Sequence, residues 1–158
     1  MRATLPLLLL LLLVTGCSPG GPVVLNEFMA SNVTGITDST GATPDWIELF
    51  NTSGEPVSLD GWFLSDASGV PERAPLDGLT VPANGFLLLN ASGDTTRGGD
   101  HLGFRLNASG EDVVLSDSEG IVDVISYGLQ TSDVAMARIP DGVGDWAEAP
   151  PTPGESNE

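Results

Sequence analysis

The chain has 158 residues and a formal net charge of −17, with 22 aspartates and glutamates against five arginines and no lysine. The missing lysine excludes phosphate-binding P-loops, Schiff-base chemistry and Ser–Lys dyads, and the acidic surface argues against nucleic acid as a partner because it repels phosphates. An apolar fraction of 41% is too high for a disordered acidic tail, whereas 20 glycines and 12 prolines indicate many turns and an all-β domain.

The first residues have the pattern of an export signal. Arg2 precedes an apolar run over residues 5–14, which is too short to span a bilayer and typical of a secretory signal. The run ends at Val-Thr-Gly-Cys17, which resembles the bacterial lipobox. This resemblance implies that residues 1–16 are removed, that the Cys17 thiol is linked to diacylglycerol through a thioether, and that its new amino group is acylated by a fatty acid such as palmitate. An ordinary signal peptide with a chance cysteine is the alternative.

The lipidated residue defines the predicted organisation of the chain. Cys17 is the only cysteine, which excludes an intrachain disulfide and any multi-thiolate metal site. Residues 17–22 form a tether that reaches at most about 18 Å beyond Cys17. Residues 23–158 form one β domain with a Pro-rich acidic tail that packs only in part. The protein is therefore predicted to be exported by the general route and held in a lipid bilayer. Ser18 favours, by resemblance, the outer membrane or cell surface.

Short apolar runs alternate with turn clusters after residue 22, and most runs have the period of two typical of strands. This pattern predicts an all-β sandwich or barrel of about eight or nine short strands. The run at residues 87–89 is continuous and indicates a strand covered on both faces. Two connections, residues 30–44 and 92–101, are longer than ordinary hairpin loops. The predicted strands cover residues 23–29, 46–51, 61–65, 85–90, 102–107, 112–116, 121–127 and 134–139, with a weak one around Trp146.

Several segments together resemble the lamin tail domain, the immunoglobulin-like β-sandwich of nuclear lamins that also occurs in bacterial surface proteins. The resemblance covers residues 24–157 and implies an immunoglobulin-like fold and a binding or attachment module. The basic residues behind nucleic-acid contacts in lamins have no counterpart here, so DNA binding is not carried over. The segments that carry the resemblance are residues 24–29, 45–51, 57–66, 79–89, 110–115, 121–128 and 138–142, Trp146, residues 151–154 and Asn157.

Catalysis is not predicted. A hydrolytic triad would need His101, the one histidine, beside a nucleophilic serine. No Gly-x-Ser-x-Gly elbow is present, and His101 follows a Gly-Gly-Asp loop that offers little support for an oriented base.

Calcium is the one cofactor that the residues suggest, because it takes several oxygen ligands from acidic loops. Glu27, Asp45 and Asp66 are the candidate ligands, with Glu48 nearby on a predicted strand. The alternative is that Glu27 and Glu48 pair with arginines or cap backbone groups, and that Asp45 and Asp66 form turns. Folding is predicted to need no metal.

Recognition is predicted to use the long loops or an exposed sheet edge, and residues 134–139 are the candidate edge. Arg97 and Asp100 flank two glycines in the second loop, and Arg97 offers a positive anchor for a carboxylate or sulfate on a partner. An ordinary mobile loop with a solvated arginine is the alternative. The predicted function is a membrane-anchored, non-enzymatic surface module that binds an envelope protein or a glycan. A calcium- or carbohydrate-binding module is the alternative, with Trp46 and Phe50 as exposed aromatics that either stack on a sugar or pack against neighbouring strands.

Overall fold

The computed structural model describes residues 21–157, and this part of the chain is built almost entirely from β-strands. Within it the one helical element is a turn of 3₁₀ helix at Thr95–Arg97. The eleven strands are β1 (Val23–Met29), β2 (Asp45–Asn51), β3 (Val57–Ser58), β4 (Phe63–Ser65), β5 (Ala74–Pro75), β6 (Thr80–Val81), β7 (Phe86–Ala91), β8 (Glu111–Asp117), β9 (Gly120–Tyr127), β10 (Ala135–Ile139) and β11 (Asp145–Ala149).

The strands form two main sheets and one short pair. The five-stranded sheet has the order β11-β10-β1-β2-β7, the four-stranded sheet has the order β5-β4-β8-β9, and β3 pairs with β6. All of these pairs are antiparallel. The prediction of an all-β sandwich is therefore confirmed, although the described residues hold more strands than the eight or nine predicted.

One apolar core fills the space between the two main sheets. The inward side chains Leu25, Ile47 and Leu49 of the five-stranded sheet meet Leu64 and Leu115 of the four-stranded sheet. Phe104 and Val113 belong to the same cluster, and Trp62 and Ile125 pack against it. The predicted coverage of residues 87–89 on both faces is also confirmed, because Leu87 and Leu89 pack on this core whereas Leu88 packs on a second, smaller cluster.

Residues 102–107 do not form the strand that their pattern predicts. Leu102, Phe104 and Leu106 are buried and Gly103 and Arg105 are exposed, so the predicted alternation is present in the burial of the side chains. The backbone nevertheless forms no ladder, since its one bridge joins His101 to Asn90. The segment inserts alternate side chains into the core from the end of the sandwich. Strands β3, β5 and β6 were missed because two residues cannot display a period of two.

The outer face of the five-stranded sheet is covered, which corrects the expected exposure of Trp46. Its side chain is fully buried in the second cluster with Met29 and Ala135. Phe50 is half-buried, and its ring lies 4.9 Å from that of its cross-strand neighbour Phe86. The two aromatics therefore pack against neighbouring strands, as the alternative interpretation held, and Trp46 is unavailable for stacking on a sugar.

Among residues 21–157, no helix has the length and apolar character needed to cross a membrane.

Candidate functional site

The two long loops predicted from the sequence lie side by side at one end of the sandwich. The first loop, residues 30–44, joins β1 to β2. The second was predicted as residues 92–101 but extends over residues 92–110, because residues 102–107 form no strand, and it joins β7 to β8. They meet because β2 begins where β7 ends, with Asp45 opposite Ala91 in the antiparallel ladder. We call this surface, formed by residues 30–44, 92–110 and the adjoining residues 73–77, the loop end.

The first loop is held by three acidic or amide side chains. Asp133 accepts hydrogen bonds from the backbone amides of Val33 and Thr34, at 2.8 and 2.9 Å. Asn32 donates to two backbone carbonyls of its own loop, and its backbone amide donates to Asp45 at 3.0 Å. The loop is consequently a braced structure, and the side chains on it are presented in defined positions.

The second loop is also ordered by its own polar groups. Asp94 caps the 3₁₀ turn by accepting from the Thr96 amide at 3.0 Å. The Asn90 side chain donates to Asp100 at 3.0 Å. One carboxylate oxygen of Asp100, a predicted partner-binding residue, therefore accepts a hydrogen bond that holds the loop to β7.

Arg97 joins the two loops. Its Nη2 lies 2.7 Å from Asp38 Oδ2 and also donates to the Thr40 hydroxyl. Hydrogen bonds from Thr40, the hydroxyl above all, together with the Arg97 charge, lower the pKa of Asp38, so this pair stays ionised. The Arg97 side chain is 23% exposed. The predicted cationic anchor is therefore largely neutralised by a neighbour that the sequence did not single out.

Two clefts lie on either side of the second loop. The first has a volume of about 290 Å³ and is lined by Arg97 and Arg105 together with Asp45. The second has a volume of about 450 Å³ and is lined by Arg73 and His101, among others. Arg73 pairs with Asp66 and lies over the Phe104 ring at 5.7 Å.

The loop end concentrates the positive charge of the described chain. Four arginines lie within residues 21–157, and three of them, Arg73, Arg97 and Arg105, line the two clefts. Arg73, Arg97 and Arg138 each form a salt bridge, and in this range Arg105 forms none. Sequence reasoning chose Arg97 and missed Arg105, because the alternation of residues 102–107 indicated an ordinary strand position.

His101 is buried and bonded to a serine, an arrangement that the sequence did not predict. Its Nδ1 lies 2.9 Å from Ser92 Oγ. The same Ser92 oxygen accepts from the Asp94 amide at 3.2 Å, and among the described residues no carboxylate bonds to the His101 ring. A base needs a third group to orient it if it is to activate a serine. The Ser92–His101 pair therefore stabilises the turn.

The structure does not bring the three predicted calcium ligands together. Glu27 lies opposite Glu48 in the β1–β2 ladder. Asp45 lies at the start of β2 and accepts from the Asn32 amide. Asp66 follows β4 of the other sheet and pairs with Arg73. Within residues 21–157, no three acidic, histidine or cysteine side chains are grouped so that they could hold a metal ion.

Glu27 and Glu48 instead bind backbone groups of the C-terminal tail, residues 150–157. Both side chains are fully buried. Glu27 accepts from the Thr152 amide at 3.0 Å, and Glu48 accepts from the Gly154 amide at 2.6 Å. Burial raises the pKa of Glu27, and burial together with the charges of Glu27 and Asp141 raises the pKa of Glu48 to about 7. The alternative interpretation, in which these glutamates cap backbone groups, describes what the structure contains.

The family model described as the lamin tail domain matches residues 17–129, which is more than two thirds of the chain. The chain belongs to the lamin tail domain family. No curated protein and no solved structure matches it. The lamin tail domain has an immunoglobulin-like fold, so the predicted fold class is confirmed, and the family is generally one of non-enzymatic modules.

The folded unit extends beyond the part matched by the lamin tail domain. The match ends at residue 129, yet β10 pairs with β1 and β11 pairs with β10 in the five-stranded sheet. Residues 152–157 then cover the buried glutamates of the outer face. Cys17, the predicted lipid attachment point, lies outside the described residues.

Proposed function

We propose that the protein is a lipid-anchored, non-enzymatic binding module of the cell envelope, and that it contacts its partner with the loop end. The partner is an envelope protein or a glycan. The anchor is the acylated Cys17, which follows a short apolar export signal in the sequence. The binding surface is the pair of clefts around the second loop.

The position of the loop end relative to Val23, where the chain enters the domain, is the observation that carries this proposal. The chain enters the domain at Val23, the first residue of β1, and the first loop begins after Met29, the last residue of that strand. A seven-residue strand spans about 23 Å, so the loop end and the point at which the chain enters β1 lie at opposite ends of that strand. A domain anchored at Cys17 would thus hold its loop end away from the membrane.

The charge of the loop end supports the same function. A chain with a net charge of −17 repels most anionic surfaces, whereas three of the four arginines in residues 21–157 are gathered around the clefts. The loop end carries three arginines against four aspartates, Asp38, Asp77, Asp94 and Asp100, so its arginines are individual pairing groups for an anion and do not form a positive field. Loops held by a rigid sandwich are also where binding residues concentrate.

Site-specific photo-cross-linking in intact cells tests this proposal. A photoreactive residue replaces Thr96, exposed in the second loop, or Ser118, exposed in the turn between β8 and β9. The Ser118 turn is the matched control because β8 begins next to the second loop and runs away from it. We expect discrete adducts from position 96 that are absent from position 118, and their loss in Cys17→Ser. Adducts of equal yield from both positions, or from position 118 alone, would overturn the proposal.

A further inference from the structure

We infer that the first cleft is a binding site for a carboxylate group and that Arg105 is the residue that takes it. This inference rests on the proposed function and names the ligand class. The site is formed where residues 42–45 of the first loop face residues 91–92 and Arg97, with Arg105 at its edge. Its volume of about 290 Å³ lies at the small end of ligand pockets and suits one sugar-acid ring or one amino-acid residue.

The arginine is held in position by its inner end. Arg105 Nε donates to the Ser92 carbonyl oxygen at 2.9 Å. Gly93 lies directly against the side chain, and a Cβ at this glycine would be 3.1 Å from Arg105 Nε and 3.2 Å from its Cγ. Gly93 also has a φ of +74°, which favours glycine. The backbone of residues 92–93 therefore fixes where the guanidinium lies.

The outer end of the same guanidinium is not bonded to another described residue, although its charge acts on the nearby Asp45 carboxyl. Within residues 21–157 its two terminal nitrogens have no hydrogen-bond partner, and Arg105 makes no salt bridge. Two parallel N–H groups on the end of a guanidinium match the two oxygens of a carboxylate, and such paired bonds are stronger than neutral ones. The neighbouring Arg97 is already paired with Asp38 and therefore contributes less to the binding of a carboxylate.

The acidic residues of the cleft determine which anion is preferred. Asp45 lines the same cleft, and Asp38 lies behind Arg97. These two carboxylates repel each negative charge on a ligand, which offsets the stronger attraction of a dianion such as sulfate to the one unpaired arginine. A carboxylate carries a single charge and also has the planar shape that the guanidinium matches. The geometry and charge together favour a carboxylate.

Nuclear magnetic resonance titration of the full chain in detergent micelles tests the site. Acetate, glucuronate, N-acetylglycine and sulfate are added separately at constant ionic strength. We expect saturable shifts of the Arg105 Nε–H and the Gly93 amide with each carboxylate, and weaker binding of sulfate. The affinities for glucuronate and for N-acetylglycine are compared, and the tighter of the two indicates whether the natural carboxylate belongs to a sugar acid or to a peptide.

Two variants that each remove one arginine from the cleft separate the roles of its cations. Arg105→Gln should weaken carboxylate binding by at least about tenfold, the loss expected for a charge-assisted hydrogen bond. Arg97→Gln should weaken it less. Shifts that never saturate, or that persist unchanged in Arg105→Gln while the spectrum remains that of a folded protein, overturn the inference. If that happens while position 96 still cross-links its partner, the carboxylate site is wrong and the proposed function stands. If acetate binds but position 96 gives no cross-link, the carboxylate site stands and the proposed function is wrong.

Discussion

Asp123 and Arg138 form a buried ion pair that ties the two main sheets together. Arg138 Nη2 lies 2.9 and 3.0 Å from the two oxygens of Asp123, which is on β9 of the opposite sheet. The same two side chains bind one residue of β1, since the Leu25 amide donates to Asp123 and its carbonyl accepts from Arg138. Trp146 covers the guanidinium at 4.8 Å. The pair therefore satisfies backbone groups of Leu25 at the irregularity in β1 between Leu25 and Glu27.

Removing one partner of this pair is expected to destabilise the fold strongly. The side chains of Arg138 and Asp123 are only 14% and 8% exposed. Asp123→Ala should lower the free energy of unfolding by about 3–5 kcal/mol, because it leaves the buried Arg138 charge without its carboxylate partner and the Leu25 amide without an acceptor. Urea unfolding followed by tryptophan fluorescence measures the loss. The double variant Asp123→Leu with Arg138→Met should lose less than the sum of the two single losses. A single-variant loss below about 1 kcal/mol would contradict a buried pair.

Stability is expected to fall as pH rises through neutrality because of Glu48. Its pKa is about 7 in the folded protein against an ordinary value of 4.5, so the folded state holds the proton more tightly than the unfolded chain does. The contribution is complete below about pH 4.5 and is lost as pH rises through about 7, a loss of roughly 3 kcal/mol. The raised pKa of Glu27 acts in the same direction.

Glu48→Gln isolates this effect from the titration of the many other carboxylates. The amide cannot ionise but keeps an oxygen that accepts from the Gly154 amide. Denaturant unfolding at several pH values from 5 to 8 should therefore show a smaller decline for the variant than for the parent protein. Parallel curves for the two proteins would mean that Glu48 titrates as an ordinary solvent-exposed carboxyl.

Loss of the lipid attachment is expected to release the chain from membranes. Cys17→Ser removes the thiol to which a diacylglycerol would be linked, and acyl chains hold a protein by about 0.8 kcal/mol per buried CH₂. The variant should remain uncleaved or move from the detergent-rich phase to the aqueous phase in phase separation. Ser18→Ala, a change of similar size at the next position, is the control. Unchanged processing and partitioning of Cys17→Ser would exclude the anchor.

Calcium is expected to have little effect on stability. Glu27 and Glu48 are bonded to the tail, and Asp45 and Asp66 lie in different sheets. A ligand that binds only the folded state raises the melting temperature of the protein, and the rise grows with the logarithm of the ligand concentration. Melting curves with excess chelator and with millimolar calcium should coincide, and magnesium serves as the matched ion. A rise specific to calcium would restore the metal-binding alternative.

The sequence alone determined the features that depend on neighbouring residues. Alternation along residues 46–51 and 121–127 predicted strands close to β2 and β9, because the side chains of a strand point to opposite faces. Turn residues predicted where strands end, and the resemblance of ordered segments predicted the lamin tail fold. The two long loops were also visible, since segments with no period and many glycines, serines and threonines stand out between strands.

Only the tertiary structure decided which distant residues meet. The acidic pattern did not reveal that Glu27 and Glu48 would be buried beneath residues 152–154, or that Arg97 would be neutralised by Asp38 while Arg105 stayed unpaired. The same alternation in residues 102–107 was a poor guide, because burial of alternate side chains does not require a paired backbone. Strand periodicity is a local property of the chain, whereas burial and charge pairing depend on contacts between residues that are, like Asp38 and Arg97, far apart in sequence.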